Sequence, residues 1–380
     1  MNEGGVLLVA NYPSDVGYAW WLMETYWASI AERLAAKGRR CILAYPQVSR
    51  LPAVIAAAPL EVVQLPWPQP GWRKLAIYLR FIRTRRISAL YLTDRPVTDW
   101  RYALFKLAGV RRIVIHDHSP GDRPRKGGLK GACSAALNRV RWLSCDRAIG
   151  VTEFVCHRLV ENARFPARRC RTVPNGIPST PLPTSAERRL ARDILNLERD
   201  SVAVGIVSRA HRYKNWSFAI KVAAVLAKSP QGKHLVWVFC GDGPDLPFFR
   251  HEAHVAGITG RCRFLGRRTD VSEICAGLDI GMHPSLGEVG YSLSILELMR
   301  AGLPVVVPNL PSVCGATLDG WTGLHYRAGD TEAAANVIQR LVEQPALRHR
   351  LGSAARLEVE QRFSLDAALE ALGREVVDFL

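Results

Sequence analysis

The 380-residue chain has little that ties it to a metal, an oxidising compartment or the interior of a bilayer. Its nine cysteines, at 41, 133, 145, 156, 170, 240, 262, 275 and 314, include no Cys-x-x-Cys pair. Such pairs mark zinc sites and thioredoxin-like centres, and both are disfavoured without them. An odd count without a spacing framework suits buried thiols in a reducing compartment. No apolar stretch approaches the ~20 residues that cross a bilayer. The opening MNEGGVLLVANYP puts an acid before a very short apolar run and reads as a strand, not a signal peptide. A cytoplasmic protein is expected, peripheral at most on the inner face of a membrane. No Asp-x-Asp motif stands out. No bound metal or cofactor is expected.

Negative charge is also scarce, but only in one half. The formal net charge is +17. Residues 1–178 hold 28 Lys and Arg against 12 Asp and Glu; residues 179–380 hold 23 against 22. The basic half should seek a polyanion: a nucleic acid, an anionic membrane or a phosphorylated substrate.

What is present is a regular alternation. Val6–Ala10, Cys41–Ala44, Leu60–Gln64, Leu90–Thr93, Ile113–His116 and Ala148–Val151 are short apolar runs separated by amphipathic stretches such as Tyr18–Lys37 and Trp72–Arg85. PSTPLPTS at 178–185 breaks the pattern, which then restarts with Val202–Val207, Leu235–Cys240, Arg263–Leu265, Asp279–Met282 and Val305–Val307. Alternating strands and helices imply parallel sheets covered on both faces. The expectation is an α/β protein of two Rossmann-like domains, 1–178 and 179–363. The last helix, 364–380, is expected to cross back to the N-terminal domain. Ligands in such folds bind beyond the carboxyl ends of strands, beside helix N-termini.

Three post-strand segments of the second half attract attention. After Val207 come Arg209, Arg212 and Lys214, with Asn215 placed to cap the next helix. Cations at the positive end of a helix are unfavourable by themselves, and a bound diphosphate would relieve them. A solvated basic loop explains them equally well. Gly241-Asp242-Gly243-Pro244 follows the next strand, where Gly241 permits close approach of a ligand or merely turns the chain. Pro284 to Glu297 loops through Gly287 and Gly290 and opens a helix near Ser292. Glu288 and Glu297 are placed to accept hydrogen bonds from hydroxyls. Ser294-x-x-Glu297 also reads as a capping box.

Together and in this order, these segments resemble family 4 of the retaining glycosyltransferases, which have the GT-B fold. Asn175-Gly176-Ile177, Phe264-Leu265-Gly266 and Ala301-Gly302-Leu303-Pro304 belong to the same resemblance, which covers most of residues 170–330. It implies that Arg209 and Lys214 bind the donor diphosphate. It implies that Glu297, the second Glu of the family's E-x7-E motif, binds the ribose. Gly290, Tyr291, Ser292 and Leu293 would meet the sugar and phosphates through the backbone. The first Glu of that motif should fall at 289, which is Val289; Glu288, one residue early, is expected to serve instead.

In the first half, Gly17 resembles the family's N-terminal glycine loop, although its usual Gly-Gly pair is absent. His118, with His116 second, is the candidate for the histidine that reaches sugar and acceptor; a hydrogen-bonded structural histidine is the alternative. Trp72, Lys74, Arg80 and Arg83 lie on a basic helix whose apolar face is expected to be Trp72, Leu75, Leu79 and Ile82. Arg125 and Lys126 lie on a basic loop expected to be flexible. These suit an acceptor or an anionic membrane.

The expected function is retaining, metal-independent transfer of a sugar from a nucleotide-diphosphate sugar to a glycan or lipid-linked acceptor. Cell-surface polysaccharide or lipopolysaccharide synthesis is the expected setting. A non-catalytic GT-B protein, a GT-B epimerase and a basic nucleic-acid-binding protein are the alternatives. Nothing here resembles a nucleic-acid-binding module.

Overall fold

The computed structural model describes residues 4–15, 20–68 and 71–380. The chain forms two compact units. The first takes in the chain up to Ser119, Arg123–Asn175 and Asp366–Leu380; the second takes in Pro120–Asp122 and Gly176–Leu365.

The first unit is built on seven strands: β1 (Gly5–Val9), β2 (Cys41–Tyr45), β3 (Glu61–Gln64), β4 (Ile87–Thr93), β5 (Arg112–Asp117), β6 (Arg147–Gly150) and β7 (Cys170–Thr172). Their order is β3-β2-β1-β4-β5-β6-β7, and every pairing is parallel. Val6–Val9 and Leu90–Leu92 are fully buried on both faces. That is why these strands read as unbroken apolar runs without alternation.

The second unit repeats the plan with β8 (Val202–Val207), β9 (Leu235–Cys240), β10 (Cys262–Gly266), β11 (Ile280–Met282), β12 (Val305–Pro308) and β13 (Gly323–Tyr326). The order is β10-β9-β8-β11-β12-β13, again all parallel. Trp216, Trp237, Phe239 and Phe249 anchor its core. Strand β13 is absent from the apolar pattern because it reads Gly-Leu-His-Tyr. Its glycine is needed: a Cβ on Gly323 would lie 2.2 Å from the Val305 carbonyl oxygen.

Both sheets have the doubly wound order in which the first strand of each sits between the second and the fourth. Connections leave in opposite directions from that point, so a crevice opens beyond the carboxyl ends of the two central strands. In the first unit these are β1 and β4; in the second, β8 and β11.

One local expectation changes. The segment 123–130 is pinned rather than loose. The Asn162 amide donates to Arg123 O (2.6 Å), Lys126 N donates to Asn162 O (3.2 Å), and the helix Gly128–Arg139 begins within it. The Pro/Ser/Thr-rich stretch ends in Thr184, which makes a capping box with Glu187 and starts the helix Ser185–Ile194. The tail from Asp366 packs on the first unit. Arg147 there donates to the backbone and carboxylate of Glu375 (2.8 and 3.0 Å) and lies 3.9 Å over the Phe379 ring.

Candidate functional site

The crevice of the second unit is lined by the loops after β8 and β11. Residues Arg212–Lys214 form a single 3-10 turn, and Asn215 follows in the left-handed region at φ 58°. Asn215 does not cap the helix Trp216–Leu226 with its side chain, contrary to expectation. Its amide instead donates to Pro284 O at 3.1 Å and ties the two loops together. This tie places Lys214, which is buried, against the buried carboxylate of Glu288.

Glu288 accepts from Lys214 Nζ and shares a 3.0 Å hydrogen bond with His283 Nε2. His283 Nδ1 in turn lies 3.3 Å from Ser294 Oγ, which lies 2.9 Å from Ser292 Oγ. A polar relay thus runs from Lys214 to the first turn of the helix Leu293–Arg300. Burial alone would push the Glu288 carboxyl up. The Lys214 ammonium and the His283 hydrogen bond outweigh it and hold the group down at about 2. Burial pushes the His283 imidazole the other way, below its ordinary value, despite Glu288 beside it. Sequence patterns missed His283, since a single histidine directly after a short strand carries no spacing signal.

Glu297 is the opposite case. Its carboxylate makes no hydrogen bond among the described residues, and burial raises it to about 7. The capping-box reading fails on register. Ser292 is the N-cap, so Ser294 sits two residues too late and sends its hydroxyl to His283. No carbonyl outside the helix takes the N–H groups of Ser292, Leu293 or Ser294 among the described residues. These groups are the ones that a helix start leaves for an anion. Gly290 has φ 110° and Tyr291 is buried against Phe363 (ring centroids 5.1 Å), so the loop before this turn is held firmly. Arg209 is exposed, and its side chain makes no ion pair or hydrogen bond among the described residues. Arg212 is drawn aside to Asp245 (3.4 Å). Gly241 has a packing reason of its own: at φ 142°, a Cβ there would stand 1.9 Å from Ser208 O.

The crevice of the first unit is lined by the ends of β1, β4 and β5. Asp94, just past β4, adopts φ 52°, an uncommon conformation for any residue but glycine. Its carboxylate accepts from Asn11 Nδ2 (2.9 Å) and from the backbone N–H of His118 (2.6 Å). Burial raises the Asp94 carboxyl above its ordinary value. Asp117 makes a buried ion pair with Arg158 (3.1 Å) and accepts from Ser119 N (2.8 Å). His118 has Asp94, Asp117 and the Asn175 carboxamide as polar neighbours, yet burial dominates and lowers it, so the ring is neutral near pH 7. His116 is wholly buried, bonded to the Tyr91 hydroxyl and stacked 5.8 Å from Tyr26. That makes His116 a core residue and leaves His118 as the candidate. Asp94 and Arg158 were not legible in sequence as site residues. Gly17 lies outside the described residues.

On the helix Trp72–Thr84 the buried face is Leu75, Tyr78 and Ile82. Trp72 is 77% exposed, contrary to expectation, with Trp100 as its ring neighbour (centroids 6.2 Å). Lys74, Arg80 and Arg83 are exposed. Arg125 pairs with Glu161 (3.5 Å), and Lys126 donates to Ser134 Oγ (3.2 Å). Among the described residues no group of three or more His, Cys, Asp or Glu is placed to hold a metal. No helix there is long and apolar enough to cross a membrane.

Comparison with known proteins follows the same two-part division. Residues 187–358 match the profile of the Glycosyl transferases group 1, and residues 23–180 match that of Glycosyltransferase Family 4. EpsF of Bacillus subtilis is 32% identical over 208 residues, 54% of this chain and 53% of its own. An Escherichia coli protein, UDP-Gal:alpha-D-GlcNAc-diphosphoundecaprenol alpha-1,3-galactosyltransferase, is 24% identical over 215 residues, 54% of this chain and 55% of its own. The chain thus spans about half the length of these curated relatives. HepE of Anabaena, solved in complex with UDP, superposes with a TM-score of 0.73 at 18% identity, covering 99% of this chain and 100% of that one. That likeness shows the fold.

Proposed function

The chain belongs to the family 4 glycosyltransferases, of GT-B fold, and from that premise we propose that it transfers a sugar from a nucleotide-diphosphate sugar to an acceptor, with retention and without a metal. The observation that carries this reading is the second unit's crevice. There Lys214 is tied through Glu288 and His283 to the first turn of a helix whose Ser292–Ser294 N–H groups are free, and Arg209 stands exposed on the same loop after β8.

A departing nucleoside diphosphate develops negative charge as the glycosidic bond breaks. Pre-positioned cations and backbone donors stabilise that charge without reorganising, which is electrostatic catalysis. Glu288 takes both Lys214 and His283 on its Oε1 and so holds the Lys214 ammonium in place, which leaves Oε2 for the expected contact with the sugar. Glu297, unpaired and poised near neutrality, accepts from the ribose hydroxyls. In the first unit neutral His118 contributes a hydrogen bond to the transferred sugar or the acceptor hydroxyl. Among the described residues no carboxylate is placed as an obvious covalent nucleophile, so attack comes from the face that the diphosphate leaves, and the diphosphate takes the acceptor's proton. UDP is the favoured leaving group, because the HepE structure holds UDP and the E. coli relative is named for UDP-Gal.

The acceptor is a glycan or lipid-linked glycan of the cell surface, met at an anionic membrane. Exposed Trp72 and Ile77, on one helix with Lys74, Arg80 and Arg83 and with exposed Trp100 against Trp72, support this. Failure to bind anionic vesicles at low salt overturns the membrane part.

Thermal unfolding with UDP, GDP, ADP and dTDP, with and without magnesium, tests the donor site. A ligand at a hundred times its Kd adds about 2.7 kcal/mol to apparent stability. UDP is expected to raise the midpoint without magnesium. No shift with any diphosphate removes the donor assignment.

A further inference from the structure

Two thiols of the first unit face each other. Half-buried Cys156 stands on the helix Glu153–His157, and buried Cys170 opens β7. Strand alternation puts Cys170 and Thr172 on one face of β7 and Arg171 on the other, where Arg171 turns to Glu375 (3.7 Å). Cys156 lies against the Cys170 face. Its sulfur accepts from Thr172 Oγ1 (3.2 Å), its S–H donates to Arg171 O (3.2 Å), and it meets the Cys170 thiol. On neighbouring β6 the residue paired with Thr172 is Gly150. A Cβ there would stand 2.8 Å from Cys156 Sγ, so the sulfur fills the space of the missing side chain.

The pair is placed for chemistry as well as contact. The Cys170 thiol and the Thr172 hydroxyl beside its sulfur draw the Cys156 thiol below its ordinary value. Burial raises the thiols of Cys41, Cys145, Cys262 and Cys275 instead. The thiolate is the form that attacks. The sulfur nearer solvent is therefore the reactive one, and a buried sulfur stands beside it to resolve what forms there. Both cysteines also lead to the same place. The helix of Cys156 runs on into the turn Arg158–Asn162, whose Arg158 makes the buried ion pair with Asp117 (3.1 Å). The strand of Cys170 runs out towards Asn175. Asp117 and the Asn175 carboxamide are both polar neighbours of the His118 ring.

We propose that Cys156 and Cys170 are a modification site, closed by a hydroperoxide into a reversible disulfide that shifts the supports of His118. The Cys156 thiolate attacks the peroxide, and an S–O bond forms as the O–O bond breaks. The leaving oxygen takes up the proton that the thiol had given to solvent and departs as water or an alcohol, which leaves a sulfenic acid on Cys156. The Cys170 sulfur then gives up its proton and attacks Cys156. The S–S bond forms as the S–O bond breaks, and hydroxide departs with that proton as water. Two electrons pass from the sulfurs to the peroxide in all, and a small dithiol returns them. The effect on turnover rests on the reading of the chain as a glycosyl-transfer enzyme; the disulfide itself does not.

The full chain carrying Cys133→Ser, which removes an exposed thiol, is treated with hydrogen peroxide and then with dithiothreitol. Intact mass and differential alkylation are expected to show one hydrogen lost from each of Cys156 and Cys170, restored by dithiothreitol. In Cys170→Ser the sulfenic acid is expected to persist on Cys156, where dimedone traps it. The oxidised parent should transfer sugar roughly tenfold more slowly with unchanged affinity for UDP, since a small misplacement near the reacting atoms is costly. Cys156→Ser should keep its rate under peroxide. Hydrogen exchange at Ser119, whose N–H is held by Asp117 (2.8 Å), should also change when the disulfide closes. Peroxide that leaves both thiols open to alkylation, stops at the sulfenic acid in the parent, or joins another pair first overturns the site; these readings need no variant to fold. A complete disulfide with transfer and Ser119 exchange both unchanged overturns the coupling to His118. A reduced protein that transfers no sugar counts against the glycosyl-transfer reading alone, and the site and its coupling are then read from mass and exchange.

Discussion

The crevices of the two units are built alike and charged differently. In each, a carboxylate stands beyond the central strands: Asp94 after β4, Glu288 after β11. Asp94 is held by neutral donors, an amide side chain and a backbone N–H, and burial raises its carboxyl. Glu288 is held by an ammonium and an imidazole, and its carboxyl falls to about 2 although it is the more buried of the two. The same fold position therefore yields a reluctant carboxylate in one unit and an obligate one in the other. What differs is the partner: a formal charge offsets desolvation, and a neutral dipole does not do so fully.

The sharpest way to break this comparison is to remove the charge. Lys214→Met should strand Glu288 without its main counter-charge. Loss of one partner of a buried pair costs about 3–5 kcal/mol. Losing a donor to the leaving group should also reduce turnover by roughly 100-fold or more. Unfolding curves and single-turnover rates together check both. Normal turnover would take Lys214 out of the site.

Asp94→Asn should do far less to stability. Asparagine fits the left-handed backbone and keeps an amide oxygen that can accept from the His118 N–H. Its melting temperature should stay within a few degrees of the parent, and UDP affinity should be unchanged. Transfer to acceptor should fall about tenfold, read as the ratio of transfer to donor hydrolysis. An equal loss in both reactions would mean that Asp94 supports the fold rather than the acceptor.

The smallest effects are in pH. Glu288, depressed in the folded state, contributes stability that is present above its ordinary value near 4.5 and is lost as pH falls towards 2. Glu297 works in the opposite sense. Its folded state holds the proton up to about 7, so it erodes stability as pH rises from about 4.5 to 7. If the ionised form accepts from ribose, UDP affinity should rise severalfold across pH 7, and Glu297→Gln should flatten that rise. A pH-independent affinity in the parent would place Glu297 outside the nucleotide pocket.

These details were unevenly visible in sequence. Both sheets were legible, because strands buried on both faces leave unbroken apolar runs such as Val202–Val207. Strand β13 was not, because an edge strand with a glycine and a histidine leaves no run. The ordered arginine, glycine and glutamate segments pointed to the second crevice, since each follows a strand directly. The relay from Glu288 through His283 to Ser294 depends on which side chains face inward, and spacing does not encode that. Asp94 escaped for the same reason: its role follows from a backbone angle and from Asn11, 83 residues earlier.

The return of Asp366–Leu380 to the first unit bears on how the protein is made. A chain leaves the ribosome from its N-terminus at ~5–20 residues per second. The first unit is nearly complete by Asn175, but its last piece lies beyond the whole second unit. By that rate the wait is on the order of ten to forty seconds. Throughout it, Arg147 lacks both Glu375 and Phe379, and the surface the tail will cover stays open. The unit that starts first is the one that finishes last, so a chaperone or a partner that meets the nascent protein will meet it there.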